Sequence, residues 1–310
     1  MKNVLIVGGG GFIGRHLVMY LFQIGDYKLK VLDIRKPDWL PRDVEFIEGS
    51  FLDQSNPAVK SSFLEVDVVY HLASTTIPQT SNSDIVFDIE SNLIGSLALL
   101  NYAVEAGVSK FIFTSSGGTI YGPSNDPIVD EFHETNPNCS YGIVKLAIEK
   151  YLSLYSNLHG LSTYSLRISN PYGKYQSIEK MQGAIPIFCH RIMNDKSIEI
   201  WGDGSIERDF IYTSDLVSAM EKVMHLQSRN EVINIGSMAS VSLNEIIKTI
   251  EKVSGKKAIV KYLPSRKVDI PRVCLSNDYA KKTLGWSPTV SLIQGLSEVL
   301  EEYHIKEYWI

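Results

Sequence analysis

The chain has 310 residues, 44% hydrophobic and 21% charged, the composition of a soluble globular protein with a large core. A net charge of -5 and a pI of about 5.8 exclude a basic field for nucleic acid or anionic lipid, so a phosphate-bearing ligand needs a local site. Cys139, Cys189 and Cys274 lack Cys-x-x-Cys spacing, no 18-residue apolar run exists, and MKNVLIV is too short for a signal-peptide core; a cytoplasmic protein without a membrane span is expected.

NVLIV (3–7) is fully apolar, the pattern of a strand buried on both faces. Glycines follow, then FIGRHLVMYLFQIG carries apolar residues at helical spacing. Strands are next expected at LKVLD (29–33), VEFIEG (44–49) and VDVVYHLA (66–73), and a long helix around 84–106. KFIF (110–113) gives a fifth strand, 141–160 a helix stopped by Gly160, and STYSLRIS (162–169) a sixth strand. Strands alternating with helices predict an α/β fold, a doubly wound parallel sheet over residues 1–168 with right-handed crossovers. Residues 169–310 are more irregular and read as a smaller C-terminal α/β substrate lobe, interleaved with the first part and joined without a clean linker.

VGGGGFIG closes the first strand and opens the first helix. Gly9, Gly11 and Gly14 fit G-x-G-x-x-G, and Gly8, Gly11 and Gly14 fit G-x-x-G-x-x-G equally well. Backbone amides at a helix N-terminus cradle a pyrophosphate only where no Cβ blocks the approach. Asp33 ends the second strand 19 residues beyond Gly14, where a carboxylate accepts hydrogen bonds from a ribose diol and repels a 2′-phosphate. NAD is therefore expected, with Arg35 leaving NADP as the alternative.

SYGIVK places Tyr141 and Lys145 four apart on one helix face. A free phenol, with a pKa of about 10, is a poor base at neutral pH. A nearby ammonium and an oxidised nicotinamide are expected to stabilise the phenolate and lower that value. A solvent-facing pair would do neither.

Taken together, GGGGFIG, HLA (71–73), NLIGSLALL (92–100), FIFTSSGGTIYG (111–122), YGIVK, RISNPYG (167–173), GDGSIERDFIY (202–212) and NIGS (234–237) resemble the extended short-chain dehydrogenase/reductase family over nearly the whole chain. Within it the likeness is to the nucleotide-sugar epimerases and dehydratases typified by UDP-galactose 4-epimerase. The resemblance implies a Rossmann-type domain holding NAD through Gly8, Gly11, Phe12, Ile13 and Gly14. It adds Asp33, Ile34 and Arg35 at the ribose, and Ser50 and Phe51 near the adenine. Leu72, Ala73, Ser74, Asn92, Ser115 and Pro171 would line the rest of the cofactor, with Tyr141 and Lys145 at the nicotinamide end.

The resemblance also implies that a Ser or Thr after the fifth strand hydrogen-bonds the sugar hydroxyl being oxidised. Counting back from Tyr121-Gly122 puts that place on Gly117, which has no side chain; counting forward from FIF puts it on Ser116. The segment looks one residue longer than usual. Ser116 is the expected catalytic hydroxyl, with Thr119 as substitute. A second departure is Ser50 where many relatives have an Asp for the adenine amine; Ser50 or Asp53 could take that role. His71 reads as a packed core residue, and no Cys/His cluster suggests a metal.

For the substrate, the likeness implies Asn170 at a diphosphosugar, the Ile200-Trp201 strand beside a uracil, Arg208 and Arg266 at the diphosphate, and Asp269 at the ribose hydroxyls. Val273 falls at a gate beside the sugar C2 substituent. The dehydratases of the family carry a Thr-Asp-Glu arrangement after the active hydroxyl, whereas here the stretch is Gly117-Gly118-Thr119, so dehydration is disfavoured. The expected activity is 4-epimerisation of a UDP-hexose or UDP-N-acetylhexosamine through a transient 4-keto sugar, in polysaccharide biosynthesis. A ketosugar reductase or a uronate epimerase or decarboxylase is the alternative. A non-catalytic NAD-binding interaction protein would not need the Tyr141/Lys145 pair. Helices 84–106 and 141–158 carry more apolar residues than one core-facing stripe needs, and the family pairs them across a two-fold axis, so a homodimer is expected.

Overall fold

The structure is a computed structural model that describes residues 1–124, 126–177, 183–265 and 270–307. In chain order it runs β1 (Lys2–Val7), α1 (Phe12–Ile24), β2 (Tyr27–Asp33), β3 (Glu45–Glu48), α2 (Pro57–Ser61), β4 (Val68–His71), α3 (Ile85–Asp88), α4 (Gly95–Glu105), β5 (Lys110–Ser116), α5 (Ser140–His159) and β6 (Ser162–Ile168). It continues through β7 (Asn170–Tyr172), α6 (Ala184–Met193), β8 (Ser197–Trp201), β9 (Glu207–Tyr212), α7 (Thr213–Val223) and β10 (Asn230–Ile235). Last come β11 (Ser240–Ser242), α8 (Leu243–Ser254), β12 (Ile259–Leu263), β13 (Arg272–Val273), α9 (Asp278–Leu284) and α10 (Leu292–Glu307).

Seven strands form one parallel sheet in the order β10-β6-β5-β4-β1-β2-β3, helices covering both faces. The run NVLIV is apolar throughout because both of its faces are buried. Val4 and Ile6 pack with Leu17 and Leu21 of α1 and Met220 of α7. Leu5 and Val7 pack on the other face with Leu99 of α4 and Ile148 and Leu152 of α5. Burying each such side chain contributes about 1.5–3 kcal/mol. All six strands read from the sequence are present. The strand order reverses between β1 and β4, and the crevice at that switch point is where an open α/β sheet takes its ligand.

The C-terminal part forms a separate hydrophobic cluster around Tyr172, Phe188, Phe210, Ile246 and Leu296. There β9 pairs with β7, β11 and β13, and β8 pairs with β12. Residues 230–235 leave that part and return to the main sheet, pairing in parallel with β6.

Where a single helix over 84–106 is expected, α3 and α4 are joined by one wide π-helical segment, Ile89–Ile94. Such widened turns occur mostly at functional sites. Here the adjoining side chains face inward: Asp88 is fully buried and Asn92 nearly so, both bonded to the loop after β4.

Candidate active site

The loop between β1 and α1 is built for close approach. Gly8 has φ +81, and a Cβ there would lie 2.7 Å from the Ala73 backbone nitrogen; one on Gly14 would lie 2.6 Å from the Gly8 carbonyl oxygen. These contacts press α1, β1 and the end of β4 together. At Gly11, the N-cap of α1, an added Cβ would meet only the Gly8 carbonyl oxygen, at 3.3 Å. That N-terminus has neither a side-chain cap nor an acid in its first turn, so its amides are offered outward to an anion. The Asp33 carboxylate at the end of β2 accepts the Gly10 amide at 2.8 Å and the Ile34 amide at 2.7 Å. It is half-buried, with lone pairs left for a ribose diol. These residues fit a dinucleotide.

Other expected cofactor residues have structural duties. The Asn92 side chain accepts from the Thr75 amide at 2.9 Å and donates to Asp88 at 2.8 Å, so it clamps the 74–76 loop. The Ser50 hydroxyl accepts the Leu52 amide, Asp53 is taken up by Ser55, and Phe51 is part of the core. Ser115 is buried and gives its hydroxyl to Glu149 at 2.6 Å, so its side chain is already engaged within the protein. Strand alternation explains this, since Ser115 and Ser116 point to opposite faces of β5.

The hydroxyl-rich stretch after FIF divides its work residue by residue. The Thr114 carbonyl accepts the Lys145 ammonium at 2.8 Å. Ser116 is half-exposed, and its hydroxyl has no hydrogen-bond partner among the described residues. Gly117 continues the pairing of β5 through its amide to the Ile168 carbonyl at 2.8 Å, and a Cβ on it would strike Leu275 at 2.4 Å. Thr119 packs against Gly142 at the start of α5, and its hydroxyl is buried without a partner.

Lys145 is 4% exposed and lies over the rings of Phe113 and Tyr141. Burial lowers its ammonium to about 8, with the negative charges of Asp88 and Glu149 acting the other way. Tyr141 is half-buried, and its hydroxyl meets no partner among the described residues. Its pKa is raised above the ordinary value, first by burial and then by Cys139 and Asp88, whereas the sequence predicts a lowered one. The ammonium is turned to Thr114 and sits 5.4 Å from the centre of the phenol ring, so in the protein alone it does not serve the phenolate.

Below this pair runs a polar network that sequence reasoning missed. Glu149, one turn beyond Lys145, forms a two-pronged ion pair with Arg167 of β6, at 2.8 and 3.1 Å. Arg167 also donates to the Tyr121 hydroxyl, which donates in turn to Asn234 of β10 at 2.6 Å. Removing either member of such a buried pair costs about 3–5 kcal/mol. The available signals were an acid four residues after Lys145 and a lone Arg inside the apolar strand STYSLRIS.

In the C-terminal lobe a cavity of about 730 Å³ is lined by Trp201, Asp203, Ser205, Tyr262, Ser265 and Pro271, among others. Its size suits a nucleotide-sized ligand. Trp201 is exposed at its rim, whereas the Ile200 side chain is in the core, so only main-chain contact is open to it. Arg208 donates to the Ile270 carbonyl at 2.7 Å, and Asn170 to the Asp209 carbonyl at 2.8 Å. Val273 pairs with Arg208 across β13 and β9, and Pro171 lies half-buried in β7. Arg266 and Asp269 lie outside the described residues, between the lining residues Ser265 and Pro271.

A doubly wound sheet with a glycine cradle after β1, an acid at the end of β2 and a Tyr–Lys pair beside β5 is the architecture of a dinucleotide-dependent enzyme. The chain belongs to the NAD dependent epimerase/dehydratase family, whose profile matches residues 4–236, and it uses NAD. It is 35% identical to a dTDP-4-dehydro-6-deoxyglucose reductase of Escherichia coli, over 98% of each chain. A putative UDP-glucose 4-epimerase of Methanocaldococcus jannaschii is 34% identical, over 96% of this chain and 97% of that one. Among solved structures, a UDP-glucose 4-epimerase of Thermotoga maritima with UDP-glucose superposes with a TM-score of 0.93 at 34% identity, covering 99% and 100% of the two chains.

Proposed function

We propose that the protein is a nucleotide-sugar 4-epimerase, taking a UDP-hexose or UDP-N-acetylhexosamine. The observation that carries this is that the hydroxyls of Ser116, at the end of β5, and Tyr141, in the first turn of α5, meet no partner among the described residues, while positions 117–119 carry no carboxylate to eliminate water. NAD in its oxidised form would supply the hydride acceptor and a positive charge that favours the phenolate. Ser116 holds the sugar hydroxyl by hydrogen bond, and Tyr141 takes its proton and later returns it. Lys145, fixed by Thr114, holds the cofactor ribose and supplies the local cation. The lobe cavity anchors the nucleotide, with Trp201 at the base and Arg208 toward the diphosphate.

The likeness to the E. coli reductase favours a second reading, reduction of a preformed 4-keto sugar. Incubation with UDP-, GDP- and dTDP-sugars, without added reductant, separates the two. Interconversion followed by NMR with only bound NAD supports the epimerase; no conversion until NADH or NADPH is added, with its stoichiometric consumption, replaces it by the reductase.

The homodimer belongs to the same reading. Ile143, Tyr151, Leu154 and Leu158 form an exposed apolar stripe along α5, and Val86, Phe87 and Ile94 are exposed on the α3–α4 helix. Two copies of this pair of helices, packed across a two-fold axis, would cover both stripes. Sedimentation at micromolar concentration is expected to show a dimer and Leu154→Glu with Leu158→Glu a monomer; a monomeric parent protein removes the proposal.

A further inference from the structure

Asp88 is fully buried at the end of α3, where the helix widens. Its carboxylate receives three hydrogen bonds: Thr76 at 2.6 Å and Asn92 at 2.8 Å on one oxygen, Ser140 at 2.6 Å on the other. These partners belong to three places that must agree for catalysis: the loop after β4, the widened helix, and the first residue of α5, next to Tyr141. Among the described residues no Lys, Arg or His forms an ion pair with it. A buried carboxylate without a cation is costly, and nothing in the chemistry so far uses it.

The other charged or titratable groups around the pair do not duplicate it. Glu149 is compensated by Arg167. His71 on β4 is held neutral, its pKa lowered to about 3 first by burial and then by Lys145. Tyr121 is engaged by Arg167 and Asn234, and Cys139 is a thiol at the N-cap of α5. That leaves Asp88 as the one uncompensated negative charge acting on both members, for it raises the phenol of Tyr141 and the ammonium of Lys145 alike.

We propose that Asp88 is a positioning residue for the Tyr141/Lys145 pair, holding the start of α5 through Ser140 and supplying the buried negative charge that sets the pH range in which the pair works. The proposal rests on Tyr141 being the acid–base group. Its physical sense is a compromise. Without that charge Lys145, already lowered by burial, would hold its proton less firmly.

Asp88→Asn keeps the shape, and the Thr76 and Ser140 hydroxyls can rotate to suit the amide; Asp88→Ser is a second neutral variant should the first fold poorly. Removing a negative charge lowers the pKa of both groups, so both limbs of the pH–rate profile should move to lower pH by about one unit. Ultraviolet difference titration should show Tyr141 ionising at lower pH than in the parent protein, a signal identified by its absence in the Tyr141→Phe background. Ser140→Ala retains the charge and removes the tether, so it should lower kcat and leave both limbs in place. A neutral Asp88 variant that loses rate with unmoved limbs and an unmoved phenol titration would overturn the proposal, as would Ser140→Ala shifting the profile as far. Failure of the underlying reading is separate: it shows as near-normal turnover in Tyr141→Phe, whatever Asp88 does.

Discussion

Tyr141→Phe is expected to lower turnover by about 10²-fold or more while leaving the fold and NAD binding intact. The ring contributes packing over Lys145, which phenylalanine preserves, and its hydroxyl has no partner to lose among the described residues. The whole effect should therefore fall on kcat, with Kd for NAD, followed by fluorescence, changed little. In the protein alone the phenol is held above its ordinary pKa, so the parent enzyme needs its bound cofactor and Lys145 to bring it into range. A folded, NAD-binding Tyr141→Phe with near-normal turnover would remove the mechanism.

The second large effect concerns sugar size. Val273→Tyr should abolish interconversion of UDP-N-acetylglucosamine and UDP-N-acetylgalactosamine and spare the plain UDP-glucose and UDP-galactose pair, whereas the parent protein should handle the acetylated pair at least as well. Val273 and Leu275 are two apart on an extended segment, hence on one face, and Leu275 packs on Gly117 beside Ser116. The neighbouring Arg272 does not refill the space: it turns the other way, to Glu207 at 3.2 Å and Ser240 at 2.9 Å. Comparing kcat/KM for the two pairs checks this. A tenfold preference of the parent protein for the plain pair, about 1.4 kcal/mol, would mean that another group closes the pocket.

Much of the cofactor half was legible because its signals are local. A strand, a glycine run with an open helix start, and an acid at the next strand's end are each set by neighbours in sequence. Tyr141 and Lys145 were readable for the same reason, four residues apart on one helix. What could not be read depends on distant chain. That Ser115 is engaged depends on which face of β5 meets Glu149, and the hydrogen bonds of Asp88 go to Thr76 and Ser140, twelve and fifty-two residues away. The direction of the Tyr141 shift was missed because spacing gives proximity to Lys145 but not where the ammonium points. Residues 230–235 looked like part of the second lobe because their pattern is that of any buried strand; their pairing with β6 is tertiary.

That late return has a consequence for how the molecule is made. As the ribosome releases the chain, six of the seven strands can zip up early, but β6 must wait with one edge bare until residue 235 has emerged. The gap between the paired strands makes this contact slow to form and the waiting edge sticky. A gene cut after residue 168 would leave that edge permanently uncovered, and its product should clump rather than bind dinucleotide. The fold is thus indivisible at the place where its sequence looks most divisible.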